Sequence, residues 1–244
     1  MVHGCIDGYS RLITNLDVTT DNTAATAFYC FAEGLYEYGI PGHIRMDGGA
    51  EFNHVESFMA GRCIRGKSVH NQRIERLWRD VYEKVLDSYY TVFHVMEAHG
   101  ILNIENDIHL WALHFVFKPR IANHLEDWRK AHNEHRVRTE RSQSPIQLWF
   151  SGCIKNKFRD CSAMKSLFRY TVDDRRAQVN AFMTSNALAE PRNIGVVLSR
   201  IPTPLTNHQL HMLSSNIDVL ADSSDNGINI YGQVVRSVRN YIAA

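Results

Sequence analysis

Between His70 and Met96 the apolar residues fall at Ile74, Leu77, Trp78, Val81, Tyr82, Val85, Tyr89, Val92, Phe93 and Met96. That is the i, i+3, i+4, i+7 spacing of one helical face. A stripe of this length calls for a helix of several turns laid on a core that the rest of the chain must supply. The outer face of its first turns is charged: Glu75 stands among Arg73, Arg76 and Arg79, with His70 and Asn71 just before them. Two readings fit that face. It is a solvated row of ion pairs three and four residues apart, or an acid held among guanidiniums for chemistry that needs a second carboxylate.

The remainder of the chain bounds the choice. Its 244 residues suit one large domain, or a domain of about 150 residues with an appendage. A hydrophobic fraction of 44% is enough to bury a core, and a formal net charge of +1 excludes a global basic field. Any affinity for nucleic acid must therefore come from local clusters. Cys5, Cys30, Cys63, Cys153 and Cys161 are odd in number and form no C-x-x-C pair, which points to reduced thiols of an intracellular protein. The start has no signal-peptide pattern, and no apolar run approaches the ~18 residues of a membrane span.

Along the chain, residues 1–18 read as a hairpin with Asp7-Gly8-Tyr9-Ser10 at its turn. Thr20 or Asp21 is placed to cap a helix that runs to about Tyr38 and stops at Gly39 and Pro41. A short strand, His43 to Met46, ends at Asp47, and Gly48-Gly49-Ala50 leave the backbone beside Asp47 open. Residues 51–60 read as a short helix, with a brief strand around Cys63 and Ile64 before the long helix. Another helix is expected from about Asp107 to Asn133, kinked or divided by Pro119. Pro145 opens a short helix through Trp149. After Gly152 the pattern weakens, with helical pieces near 164–169, 175–182 and 206–221 and weak alternation over 228–242. A boundary falls near 152, separating a core of 1–152 from an extension of 153–244.

Residues 61–68, Gly-Arg-Cys-Ile-Arg-Gly-Lys-Ser, match the spacing of a phosphate-binding P-loop. Such a loop must run from a buried strand into a helix. Here helix precedes it and loop follows, so the match reads as accidental. The thirteen histidines, among them His109, His114, His132 and His135, lack a fixed ligand spacing and read as core or surface residues. A third constellation pairs Asp47, at a strand end, with Glu75, in the first turns of a helix. Two carboxylates so placed suit Mg²⁺ or Mn²⁺, and the neighbouring arginines suit a phosphate backbone.

Four segments now carry a likeness. Ile-Asp-Gly-Tyr-Ser-Arg (6–11), Met-Asp-Gly-Gly-Ala-Glu-Phe (46–52), His-Asn-Gln-Arg-Ile-Glu-Arg-Leu-Trp-Arg-Asp (70–80) and Ser-Pro-Ile-Gln-Leu-Trp (144–149) occur in this order. The chain resembles the integrase core of retroviruses, retrotransposons and DDE transposases over about residues 1–152, and most of all the transposon-derived integrase-core proteins of eukaryotic genomes. The resemblance implies an α/β fold of RNase H-like type, a mixed sheet flanked by helices, followed by a mainly helical and irregular extension. It implies DNA integration by metal-dependent cleavage and strand transfer, with DNA as partner, a possible homo-oligomer, Mg²⁺ or Mn²⁺ as cofactor, and a nuclear location. Asp47 matches the second acid of the family's triad and Glu75 the third, as catalytic and metal-binding residues. His70, Asn71, Arg73, Arg76 and Arg79 are the expected DNA contacts.

Two departures stand beside the likeness. The family's first acid lies on a strand upstream of the segment resembling Ile6 to Arg11, so that strand is expected to be missing and the chain N-terminally truncated. Asp7 reads as a turn cap and not as its substitute. The spacing from Asp47 to Glu75 is also shorter than the family's, with the shortfall between Ala60 and Lys67. A site with two acids should bind metal weakly, so catalysis is expected to be impaired. The alternatives are a non-catalytic DNA- or protein-binding remnant and, third, nucleotide binding at 61–68.

Overall fold

The computed structural model describes residues 1–66, 71–159, 161–188 and 203–243. Strands β1 (Val2–Ile6) and β2 (Ile13–Val18) form the expected antiparallel hairpin, with Val2 opposite Val18 and Ile6 opposite Ile13. Asp7 fastens the turn. Its Oδ2 accepts from the N–H of Tyr9 (3.1 Å), the N–H of Ser10 (2.7 Å) and the Ser10 hydroxyl (2.7 Å). Helix α1 (Ala24–Tyr38) follows, capped by Thr23 and not by Thr20 or Asp21. Asp21 acts one step earlier, taking the hydroxyls of Thr23 and Thr26 and so shaping the turn into the helix.

Strand β3 (Ile44–Met46) pairs in parallel with β4 (Cys63–Arg65), and the crossover between them is a 3-10 turn (Ala50–Phe52) and α2 (Asn53–Met59). The expected single mixed sheet is not what the described residues form. They hold two separate two-stranded sheets. Cys5 of β1 and Ile44 and Met46 of β3 share one apolar cluster with Phe28, Phe31 and Met59, so the two sheets line one core and share no backbone ladder.

The stripe of residues 74–96 forms one rod: α3 (Gln72–Val81), a π-helical turn (Tyr82–Leu86) and α4 (Asp87–Ala98). The π turn lies where the rod changes partners. Before and within it, Leu77, Val81 and Val85 bury against Ile13, Leu16 and Val18 of the hairpin. Beyond it, Val92 and Met96 bury among Trp111, Val116 and Val234. An extra residue in one turn rotates the apolar stripe, which lets a single helix serve two cores.

Helix α5 (Asp107–Glu134) runs through both cores and keeps Pro119 inside it, so of the expected kink or division the division does not occur. Proline removes one backbone hydrogen bond, at about 3 kcal/mol in an exposed helix. Burial on both sides, by Phe115, Val116 and Phe117 before it and Leu125 after it, offsets that cost.

Helix α6 (Pro145–Asn156) opens on a capping box between Ser144 and Gln147 and continues past Trp149. Helices α7 (Ser162–Phe168), α8 (Val172–Ser185), α9 (Asn207–Asn216) and α10 (Ile228–Ala243) follow. Val179 and Met183 of α8 join the cluster around Phe28. Buried Arg175 donates to the carbonyls of Tyr36, Ser166 and Tyr170, tying α8 to α1 and α7. The weak alternation read over 228–242 is a helix: Ile230, Tyr231, Val234, Val235 and Val238 make a helical stripe buried with Trp111 and Phe117. No helix among the described residues is long and apolar enough to cross a membrane.

Candidate functional site

Helix α3 is seated on the hairpin by Trp78. Its Cη2 would lie 3.0 Å from a β-carbon at Gly4, so the glycine lets the indole rest closer on β1 than a side chain there would. With Leu77 and Val81 turned inward, Gln72, Glu75, Arg76 and Arg79 face outward, all four exposed. They line an open cleft of about 540 Å³. Among the described residues no ion pair within 4 Å joins Glu75 to Arg76 or Arg79, so this face is not the row of ion pairs that its spacing allows. The guanidiniums stay available to an external anion.

The other expected contacts are placed differently. Arg73 reaches across to the Tyr9 carbonyl at 3.5 Å and does not line the cleft. Asn71 starts the helix through its backbone carbonyl, which accepts from Ile74 at 3.0 Å and Glu75 at 3.1 Å. His70 lies outside the described residues, as do Lys67 and Ser68. Gln72 joins the cleft although its sequence drew no attention. Gln72, Glu75, Arg76 and Arg79 stand at i, i+3, i+4 and i+7, the signal that could have found it.

Asp47 sits half-buried at the end of β3, its Oδ1 accepting from Gly49 at 3.3 Å. A β-carbon at Gly49 would collide with the Glu51 carboxylate folded over it. Beside it, Arg65 of β4 pairs with Glu56 at 2.5 Å, donates to Asn53 at 3.0 Å and reaches the Gly48 carbonyl at 3.5 Å. Asp47 is not among the residues lining the Glu75 cleft. The chain nevertheless keeps the two elements near one another. Gly66 donates to the Met46 carbonyl at 3.2 Å, and the five steps from Gly66 to Asn71 can span at most about 18 Å.

Oxygen donors at Asp47 and Glu75 are the right chemistry for a hard divalent cation. The described residues contain no group of three or more His, Cys, Asp or Glu that could hold one. Asp7 is committed to its turn. His109 is engaged by Tyr231 and Arg239, and the His132 ring lies 3.2 Å from the Arg11 carbonyl, so these histidines serve the fold. The P-loop match fails on topology: its first residues follow α2, and Cys63–Arg65 is a strand where a phosphate loop would have to be.

The family model of the integrase core domain matches residues 1–163. No curated protein and no solved structure matches the chain.

Proposed function

The chain belongs to the integrase core domain family, and from that premise we propose a DNA-integration protein of transposable-element type that grips duplex DNA through α3. The observation that carries this reading is the cleft of Gln72, Glu75, Arg76 and Arg79, in which two exposed guanidiniums have no carboxylate partner among the described residues. Arginines presented in this way neutralise phosphates and fix a protein on a duplex without reading its sequence. Arg73 and Asn71, at the same end of the helix, are proposed to extend that contact, with His70, which precedes them in sequence. A DNA partner places the protein in the nucleus.

Asp47 and Glu75 are the residues proposed to hold Mg²⁺ or Mn²⁺, which in this family supplies an activated oxygen nucleophile and a stabilised leaving group. Two carboxylates on separate elements are a thin donor set for that chemistry. The described residues add no third ligand. The proposal is therefore an integrase core of RNase H-like ancestry that holds DNA and cleaves it poorly.

The test is plasmid nicking in Mn²⁺ beside duplex binding on the same preparation. Salt-dependent binding with little nicking is the expected result. Robust nicking that disappears in Glu75→Gln would show a complete catalytic site and overturn the impairment. Absence of duplex binding at low salt would overturn the reading altogether.

A further inference from the structure

A second basic surface lies away from α3. At the end of α6 and along α7, Lys157, Phe158, Arg159, Lys165, Phe168 and Arg169, together with Met164, line a cleft of about 370 Å³. Four of these side chains are cations and none is an acid, in a chain whose formal net charge is only +1. Phe158 is 95% exposed and Phe168 43% exposed. A phenylalanine that open contributes almost nothing to the fold, because folding removes almost none of its ring from water. The Lys157 ammonium sits 5.6 Å from the centre of the Phe168 ring, which holds a positive charge beside an aromatic face.

The platform beneath these side chains is firmly built. Ser166, in the middle of α7, is buried and its hydroxyl accepts from the Ile40 N–H at 2.8 Å. Arg175 donates to the Ser166 carbonyl at 3.0 Å and to the Tyr170 carbonyl at 2.9 Å. Ala163 packs against Gly42. The anchoring points, Ile40 and Gly42, come just before β3, whereas Asp47 follows its other end. These anchoring points are thus separated from Asp47 by the length of that strand, about 10 Å for three residues.

We infer that this cleft binds single-stranded nucleic acid, with a base stacked on Phe158 and backbone phosphates on Lys157, Arg159 and Arg169. Exposed rings beside a run of cations are what an unpaired strand requires, since every base has a stacking face and every phosphate a charge. A duplex would leave the rings unused, because its bases are already stacked on one another. The inference does not depend on Asp47 or Glu75 and holds whether or not the chain cleaves DNA.

The experiment is fluorescence anisotropy of a labelled oligothymidylate with the full chain. Phe158→Ala should weaken binding by roughly 5- to 150-fold, the range for loss of one stacked base, and Phe158→Tyr should restore it. Substitution at so exposed a position leaves the fold unaltered, so a loss reports on the contact. Arg159→Gln with Arg169→Gln should reduce the salt slope of binding by about 1.4, about 0.7 for each phosphate of a single strand. The same Phe158 dependence with an oligouridylate supports the site and adds RNA to its ligands. Unchanged affinity in Phe158→Ala overturns the inference. So does binding to phosphatidylserine vesicles without binding to the oligonucleotide.

Discussion

Asn133 and Ile13 exchange two hydrogen bonds: the Ile13 N–H donates to Asn133 Oδ1 at 2.8 Å, and Asn133 Nδ2 donates to the Ile13 carbonyl at 3.0 Å. One buried carboxamide at the end of α5 thereby pairs the backbone of Ile13, the first residue of β2, as a further strand would. An edge left open there would offer a template for another chain. Asn133→Leu should lower unfolding stability by about 1–3 kcal/mol per unpaired backbone group. Urea denaturation measures the shift, and an unchanged midpoint would remove the carboxamide from the account of the fold.

Gly4 lets Trp78 set the seat of α3. A β-carbon there would meet Trp78 at 3.0 Å and Leu16 Cδ1 at 3.1 Å. Gly4→Val should therefore lift α3 off the hairpin, with a loss of about 1–3 kcal/mol typical of overpacking. Thermal melting and duplex binding should fall together, since the helix that moves carries the cleft. A variant that melts early yet binds DNA as before would uncouple the two.

Arg76 and Arg79 are exposed and bear no load in the fold. Replacing both with Ala should leave the melting temperature where it is and reduce the salt slope of duplex binding by about 1.8, about 0.9 per phosphate contact. A salt titration of affinity reads this directly. An unaltered slope would move the duplex contact off α3.

Acid should loosen the core through its buried imidazoles. Arg239 donates to His109 Nε2 at 2.8 Å, and Nδ1 lies 2.9 Å from the Tyr231 hydroxyl and 3.3 Å from the Asn103 N–H. Burial first, and then the Arg239 charge, hold the His109 pKa below its ordinary 6.5. Burial also lowers His3, His114 and His132. Each is neutral in the folded chain and protonates more readily when unfolded. Their contribution is therefore complete above about pH 6.5 and is lost as pH falls toward the depressed folded values. Melting between pH 7.5 and pH 5.5 should show a falling midpoint, less steep in His109→Gln.

Thiol reactivity should separate the cysteines by depth. Cys161 is exposed, while burial pushes the Cys5 thiol up to about 11 and the Cys30 thiol up to about 12. The thiolate is the reactive form. A thiol reagent at neutral pH should therefore label Cys161 early, Cys5 more slowly, and Cys30 only on unfolding. Early labelling of Cys30 would mean that α1 opens in the native state.

The hairpin turn at Asp7, the long helix with its inner stripe and its outward Glu75, Arg76 and Arg79, and the order of the four family segments were all legible in the sequence. Each rests on short-range regularity, which a few turns of chain carry by themselves. The stripe of α10 was in the sequence too, but its adjacent pairs Ile230-Tyr231 and Val234-Val235 blur the two periodicities until α5 supplies a surface for one of them.

Tertiary structure alone decided the rest. That Pro119 stays inside a helix depends on two cores packing on either side of it. That β1 and β3 line one core around Phe28 and Phe31 and share no ladder depends on contacts far apart in sequence. The cleft beside Phe158 exists because Ser166 and Arg175 fasten α7 against residues more than a hundred positions away. Local propensity cannot see such contacts, since their energy comes from burial between segments that are strangers until the chain folds.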